Sequence, residues 1–229
     1  MMPATTMNLG VAKLAPSELV LLNGDRFAGK SRIGNVKLPQ NGATVSAGDL
    51  GQIILAAALL ACEKASVIRL EVRKKKTLLG LRKVDALFVE PLTKKDNWPK
   101  HSFESEIYSL AVRLKNEKGN NEVENIIYEW LGENSGSPWQ RAVELVQSGL
   151  ADRGALARIQ ERRMKVLKTT SYKMTVSTAR QAAEQPLDPI IRLLEECQHI
   201  RPYVWQLLIS GMKSAMNSRT EFYSNIDID

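Results

Sequence analysis

The run from Leu50 to Cys62 constrains the fold more than any other segment. It is apolar throughout except for Gly51 and Gln52, yet a helix that crosses a bilayer needs about 20 such residues. The run is too short to span and reads instead as a helix buried in a protein core. Ser46 is placed to cap its N-terminus, Asp49 falls in the first turn where the helix dipole favours an anion, and apolar positions continue to about Ala65. With 229 residues, 44% of them hydrophobic and 25% charged, the chain has the composition of a folded protein. It is long enough to bury a core as one large domain or two small ones.

The flanking pattern is mostly helical. Gly24 to Ala47 is rich in Gly, Asn and Ser, contains Pro39, and reads as an irregular connection or short hairpin. Val67 to Val72 and Lys83 to Val89 alternate as strands and predict a hairpin, with the basic block Arg73 to Lys76 and the leucines Leu78, Leu79 and Leu81 at its tip. Helical spacing follows over Ser102 to Lys115, Glu122 to Leu131 and Pro138 to Arg153, with Pro138 suited to a first helical position and Gly154 to a stop. Ala155 to Gln160 and Met164 to Ser171, separated by Glu161 to Arg163, predict a second hairpin, so that helix plus hairpin resembles a winged-helix layout. Thr178 to Glu184 and Pro189 to Met216 read as further helix, interrupted near His199 to Pro202.

The fold class predicted is mainly α: a single compact helical domain with small β-hairpins, over residues 14–216, between a flexible N-terminus at 1–13 and a polar tail at 217–229. Only Cys62 and Cys197 are present, which suggests no disulfide framework and fits a reducing compartment. Met1 to Leu14 lacks the basic-then-apolar form of a secretory signal. A cytoplasmic protein is therefore expected.

Gly24, Asp25, Arg26, Phe27, Ala28, Gly29, Lys30 and Ser31 satisfy the pattern Gly-x-x-x-x-Gly-Lys-Ser of a phosphate-binding loop. Such a loop must open a helix whose N-terminus faces the phosphates, but Arg32 to Val45 contains Gly34, Pro39 and Gly42 and shows little helical period. The simpler reading is a turn whose glycines permit positive φ. His101 and His199 have no Cys or carboxylate partners at ligand spacing, and no nucleophile elbow, paired-carboxylate motif or cysteine signature is present. The expectation is a binding protein rather than an enzyme, with no metal and no cofactor.

The net charge of +7 favours acidic partners: lipid headgroups, nucleic acid or acidic protein faces. The cations concentrate in two clusters. One is Arg73 to Lys76 with Arg82 and Lys83; the other is Arg158, Arg162, Arg163, Lys165, Lys168 and Lys173. Trp98, Trp130, Trp139 and Trp205 stand at helical spacing from other apolar residues and read as core.

Four stretches, taken in order, resemble the Golgi phosphoprotein 3 family: Leu14 to Lys30 (LAPSELVLLNGDRFAGK), Leu50 to Glu71 (LGQIILAAALLACEKASVIRLE), Lys74 to Val84 (KKKTLLGLRKV), and Trp139 to Leu156 (WQRAVELVQSGLADRGAL) with the hairpin after it through Lys173. The resemblance covers most of residues 14–175. It implies a Golgi phosphoprotein 3-like helical domain acting as a peripheral membrane adaptor, with phosphatidylinositol 4-phosphate as ligand and a protein cargo as a further partner. It also accounts for Gly24 to Ser31 as the family's opening turn. Eukaryotic members draw a Trp and several Arg into a headgroup pocket; here Val45 to Leu55 carries neither, and Gln140 and Val143 stand at the matching helix positions with Arg141 beside them. The family's membrane-inserting loop is apolar, whereas Gln160 to Tyr172 is basic.

The resulting expectation is shallow electrostatic docking on anionic phospholipid, each basic residue contributing about 1 kcal/mol. Its candidate headgroup-binding residues are Arg141, Arg153, Arg73, Lys74, Lys75, Lys76, Arg82 and Lys83. Self-association through the 73–83 hairpin is a further expectation. The alternative is a nucleic-acid-binding protein using the basic helix-and-wing segment Pro138 to Lys173.

Overall fold

Helix α2, Ala47–Lys64, is central among the described residues, and five other helices pack against it. The computed structural model describes residues 13–31, 34–76, 83–93, 98–163 and 167–220. Ser46 caps α2 as its sequence predicts, its Oγ accepting from the Asp49 N–H at 3.2 Å. From Ile54 to Leu60 every residue of α2 is fully buried, so that stretch has no solvent face. Gly51 makes one crossing possible: a Cβ there would lie 3.0 Å from Trp139 Cε3 and 3.3 Å from the Trp139 carbonyl oxygen.

Around α2 stand α1 (Pro16–Leu22), α3 (Phe103–Lys118), α4 (Val123–Leu131), α5 (Pro138–Asp152), α6 (Val176–Glu184), α7 (Asp188–Ile200) and α8 (Pro202–Ser218). Ser102 caps α3 and Thr175 caps α6, each accepting from the third residue on. Three antiparallel hairpins complete the described residues: β1–β2 (Asn35–Lys37, Thr44–Ser46), β3–β4 (Ile68–Lys76, Lys83–Pro91) and β5–β6 (Leu156–Arg163, Leu167–Met174). The protein is thus mainly helical with small hairpins, and β5–β6 follows α5 directly as the helix-plus-hairpin pattern predicts. All four tryptophans pack against the core, Trp130 with its ring 4.3 Å from that of Phe103.

Two sequence boundaries are corrected. Arg73 to Lys76 do not form a hairpin tip; they continue β3, with Lys76 opposite Lys83. Glu161 to Arg163 likewise extend β5 rather than separating two strands. In β3 the reason is visible: alternation sends successive cations to opposite faces, and each of Arg73, Lys74 and Lys75 meets a carboxylate. Leu78, Leu79, Leu81 and Arg82, the expected self-association tip, lie outside the described residues.

Helix α8 runs past Met216 to Ser218, and the chain remains docked at Arg219 and Thr220. The Arg219 guanidinium lies 3.4 Å over the Tyr128 ring, and its Nε and Nη2 donate to the Tyr128 carbonyl at 3.0 and 2.8 Å. Among the described residues no helix is long and apolar enough to cross a membrane.

Candidate functional site

A groove of about 900 Å³ opens between the β1–β2 hairpin, α5 and the β5–β6 hairpin. Its walls are fixed by contacts between segments distant in sequence. Leu38, 1% exposed, anchors the β1–β2 turn in the core, and the Gly42 N–H donates to its carbonyl at 3.0 Å. Asp25, in the short 3-10 turn Gly24–Arg26, accepts from Gln40 Nε2 at 2.8 Å. The Met174 N–H at the end of β6 donates to the Pro39 carbonyl at 3.2 Å and ties the two hairpins together.

Among the described residues three cations line this groove: Lys37, Arg141 and Lys173. No ion pair joins any of them to a carboxylate among the described residues. Glu144, the one acid among the described lining residues, accepts from Gln140, whose Nε2 donates to its Oε1 at 2.8 Å. Ser148, Thr170 and Tyr172 add hydroxyl groups. The lining combines positive charge with hydroxyl and amide groups, which suits it to an anionic, multiply hydrogen-bonding ligand such as a phosphate ester.

The expected headgroup residues fall into separate places. Arg141 is in the groove. Arg153 is not: its side chain is 15% exposed and pairs with Glu18, which is fully buried. Arg73 bonds Glu71 and, at 2.8 Å, Glu90, and stacks 5.3 Å from the Phe88 ring. Lys74 meets Asp85 at 2.9 Å, and Lys75 meets Glu122 at 2.6 Å and Glu124 at 3.1 Å. The effect on these groups is mutual. The Arg73 hydrogen bond holds the Glu71 carboxyl below its ordinary range; burial opposes the Lys75 charge, but Glu122 and Glu124 outweigh it and raise its pKa. Lys76 and Lys83 are exposed and face each other across the ladder, and Arg82 lies outside the described residues. None of these β3–β4 cations lines the groove.

In the second cluster Arg158 bonds Ser148 Oγ and Asp152, each at 2.7 Å, while the side chains of Arg162, Arg163, Lys165 and Lys168 lie outside the described residues. The partly exposed stripe of α5 carries Glu144 and Asp152 beside Arg141, an unfavourable sign of charge for a helix laid along phosphates.

Lys37 was missed by sequence reasoning, because it stands alone in a segment read as irregular. Nothing in sequence joins it to α5; the link is tertiary, through the Gln147 amide, which donates to the Lys37 carbonyl at 3.4 Å.

A buried acidic pair escaped it as well. Glu104 of α3 is 1% exposed and accepts from both the N–H and the Oγ of Ser17, each at 2.7 Å. Glu18 accepts from the Ala15 N–H at 2.8 Å and from Arg153. Burial, followed by the neighbouring Glu18 charge, raises the Glu104 pKa to about 7. Burial raises that of Glu18 too, with Arg153 opposing. The pair fastens α1 to α3 and to the end of α5, and lies in the core rather than in the groove.

The phosphate-loop match has no phosphate-loop structure. After Ser31 the described chain resumes at Gly34 and enters β1, not a helix. Nor do its glycines take positive φ: neither Gly24 nor Gly29 is in that region. Gly24 is small for packing, since a Cβ would come within 2.6 Å of Leu38 Cδ2.

Comparison of the chain with protein-family models, with curated proteins and with solved structures finds no match to any of them.

Proposed function

We propose that this chain is a peripheral membrane adaptor that binds anionic phospholipid headgroups in the groove bordered by Lys37, Arg141 and Lys173. One observation carries the reading: these cations face an open groove with no described carboxylate paired to them, while Arg73, Lys74 and Lys75 are neutralised within the fold. A monoester phosphate fits this arrangement because several donors can engage it at once. The resemblance to the Golgi phosphoprotein 3 family supports phosphatidylinositol 4-phosphate as the headgroup.

Flotation with phosphatidylcholine vesicles containing graded phosphatidylserine or phosphatidylinositol 4-phosphate tests this, with an oligonucleotide competitor in the same series. Lys37→Ala with Arg141→Ala and Lys173→Ala should weaken binding roughly 100-fold, at about 1 kcal/mol per cation. Lys74→Ala should change it much less. Absence of binding to any anionic vesicle, or displacement by stoichiometric oligonucleotide, refutes the proposal.

A further inference from the structure

We propose that the edge of β6 at Thr170 and Tyr172 takes a second kind of ligand, an extended acidic peptide of a partner protein that pairs with the strand inside the groove. This ligand is additional to the headgroup and shares with it only the three cations.

Backbone geometry supplies the donors and acceptors. In an antiparallel ladder the N–H and C=O of one residue point to the same side, and the side alternates along the strand. The Thr175 N–H donates to the Ala155 carbonyl at 3.3 Å, toward β5, whereas the Met174 N–H donates to the Pro39 carbonyl at 3.2 Å, away from β5. Two and four residues before Met174, Tyr172 and Thr170 therefore also turn their backbone groups away from β5. Both residues line the groove, and among the described residues neither has a backbone partner on that side.

The edges of the neighbouring hairpin are used differently. On β4 the Val89 N–H donates to the Asn121 carbonyl at 2.7 Å and Phe88 bridges Glu122; on β3 the Leu70 N–H donates to the Glu63 carboxylate at 3.1 Å. The β6 edge is instead set into a groove walled by α5 and the β1–β2 turn. At Met174 it already holds a backbone carbonyl from a distant segment, so the same edge can accept another strand beside it.

Charge and shape select the occupant. Lys37, Arg141 and Lys173 border the edge with no described carboxylate paired to them, which favours an acidic peptide. Leu145, Tyr172 and the 39% exposed Ile159 offer apolar contact as well. An extended chain turns alternate side chains to opposite sides, so a peptide that alternates carboxylates with apolar residues meets both kinds of partner. In such strand addition the backbone bonds give affinity and the side-chain contacts give specificity.

The probe is a fluorescein-labelled hexapeptide of alternating Glu and Val, followed by anisotropy with the full chain. It should bind saturably, a Lys-for-Glu version should not, and Lys37→Ala with Arg141→Ala and Lys173→Ala should abolish binding. Two further changes separate backbone pairing from charge. N-methylating the amides of either the Glu or the Val residues preserves the peptide's charge, and one of these two forms should bind at least about fivefold more weakly. Thr170→Pro removes an outward N–H, is tolerated on an edge strand, and should weaken binding by a similar factor. Peptide binding with no vesicle binding by any form would support the strand pairing and defeat the headgroup reading alone. Failure to saturate at millimolar peptide, or both N-methylated forms binding as tightly as the plain one, overturns the inference.

Discussion

Glu104→Gln should stabilise the protein most at neutral and alkaline pH and much less near pH 5. The Glu104 carboxyl sits in the core at 1% exposure, with Ser17 as its hydrogen-bonding partner and a second carboxyl, Glu18, close by. Its folded pKa of about 7 lies above the ordinary 4.5, so the folded state holds this proton more tightly than the unfolded state. Between those two values the unfolded chain has already released the proton that the folded chain retains, and stability must fall as pH rises. At 1.36 kcal/mol per unit, the whole window amounts to about 3 kcal/mol. Glutamine has the shape of the protonated acid: its oxygen can keep the Ser17 N–H and its amide can donate to Ser17 Oγ.

The assay is urea unfolding followed by tryptophan fluorescence at pH 5, 6, 7 and 8, comparing the variant with the unaltered protein at each pH so that other titrating groups cancel. The stability difference should grow from about 1 kcal/mol at pH 5 to about 3 kcal/mol in favour of Gln at pH 8. Glu18 also has a raised pKa and will add slope of the same sign to both proteins. A difference that is constant over the range, or a Gln variant uniformly less stable, would show that Glu104 is folded in as a carboxylate and that the reasoning is wrong.

Arg153→Met leaves Glu18 buried without its cation and should cost about 3 kcal/mol near neutral pH, and less as pH falls, because burial raises the Glu18 pKa; an unchanged fold that loses vesicle binding would instead place Arg153 in the lipid site. Gly149→Ala should destabilise by about 2 kcal/mol or more in the same assay, because its Cβ would fall 2.1 Å from the His101 carbonyl oxygen. Lys30→Ala should leave stability within about 0.5 kcal/mol, its side chain being exposed beside a turn that opens no helix; nucleotide binding that this change removes would contradict that.

The helical frame was legible because its signals are local. Ser46, Ser102 and Pro138 mark helix starts whatever surrounds them, and the apolar run of α2 has no stable place except a core. The strand ends were not, since Arg73 to Lys76 look like a turn by composition and extend β3 only through partners on β4 and α4. Glu18 was half legible. Its place three residues after Ala15 fits an N-terminal box in which a Glu side chain accepts from the preceding backbone. That Glu104 would meet Ser17 across the core is a tertiary fact with no sequence signal.

The two sets of cations differ in what the fold places around them. Arg73 and Lys75 share one face of β3, where Glu71, Glu90 and the start of α4 supply carboxylates; Lys74 points to the other face and finds Asp85. Pairs as exposed as that of Lys74, whose side chain is 64% exposed, contribute little stability, about 0–1 kcal/mol each. Lys75 joins the hairpin to the start of α4, the other pairs lie within the hairpin, and an incoming anion would have to displace carboxylates already in place. Lys37, Arg141 and Lys173 come from three different elements and meet around open space, so an anion there gains their attraction without breaking an internal pair. On the function proposed here, the densest basic run in the sequence is the poorer candidate for binding, and three scattered residues are the better one.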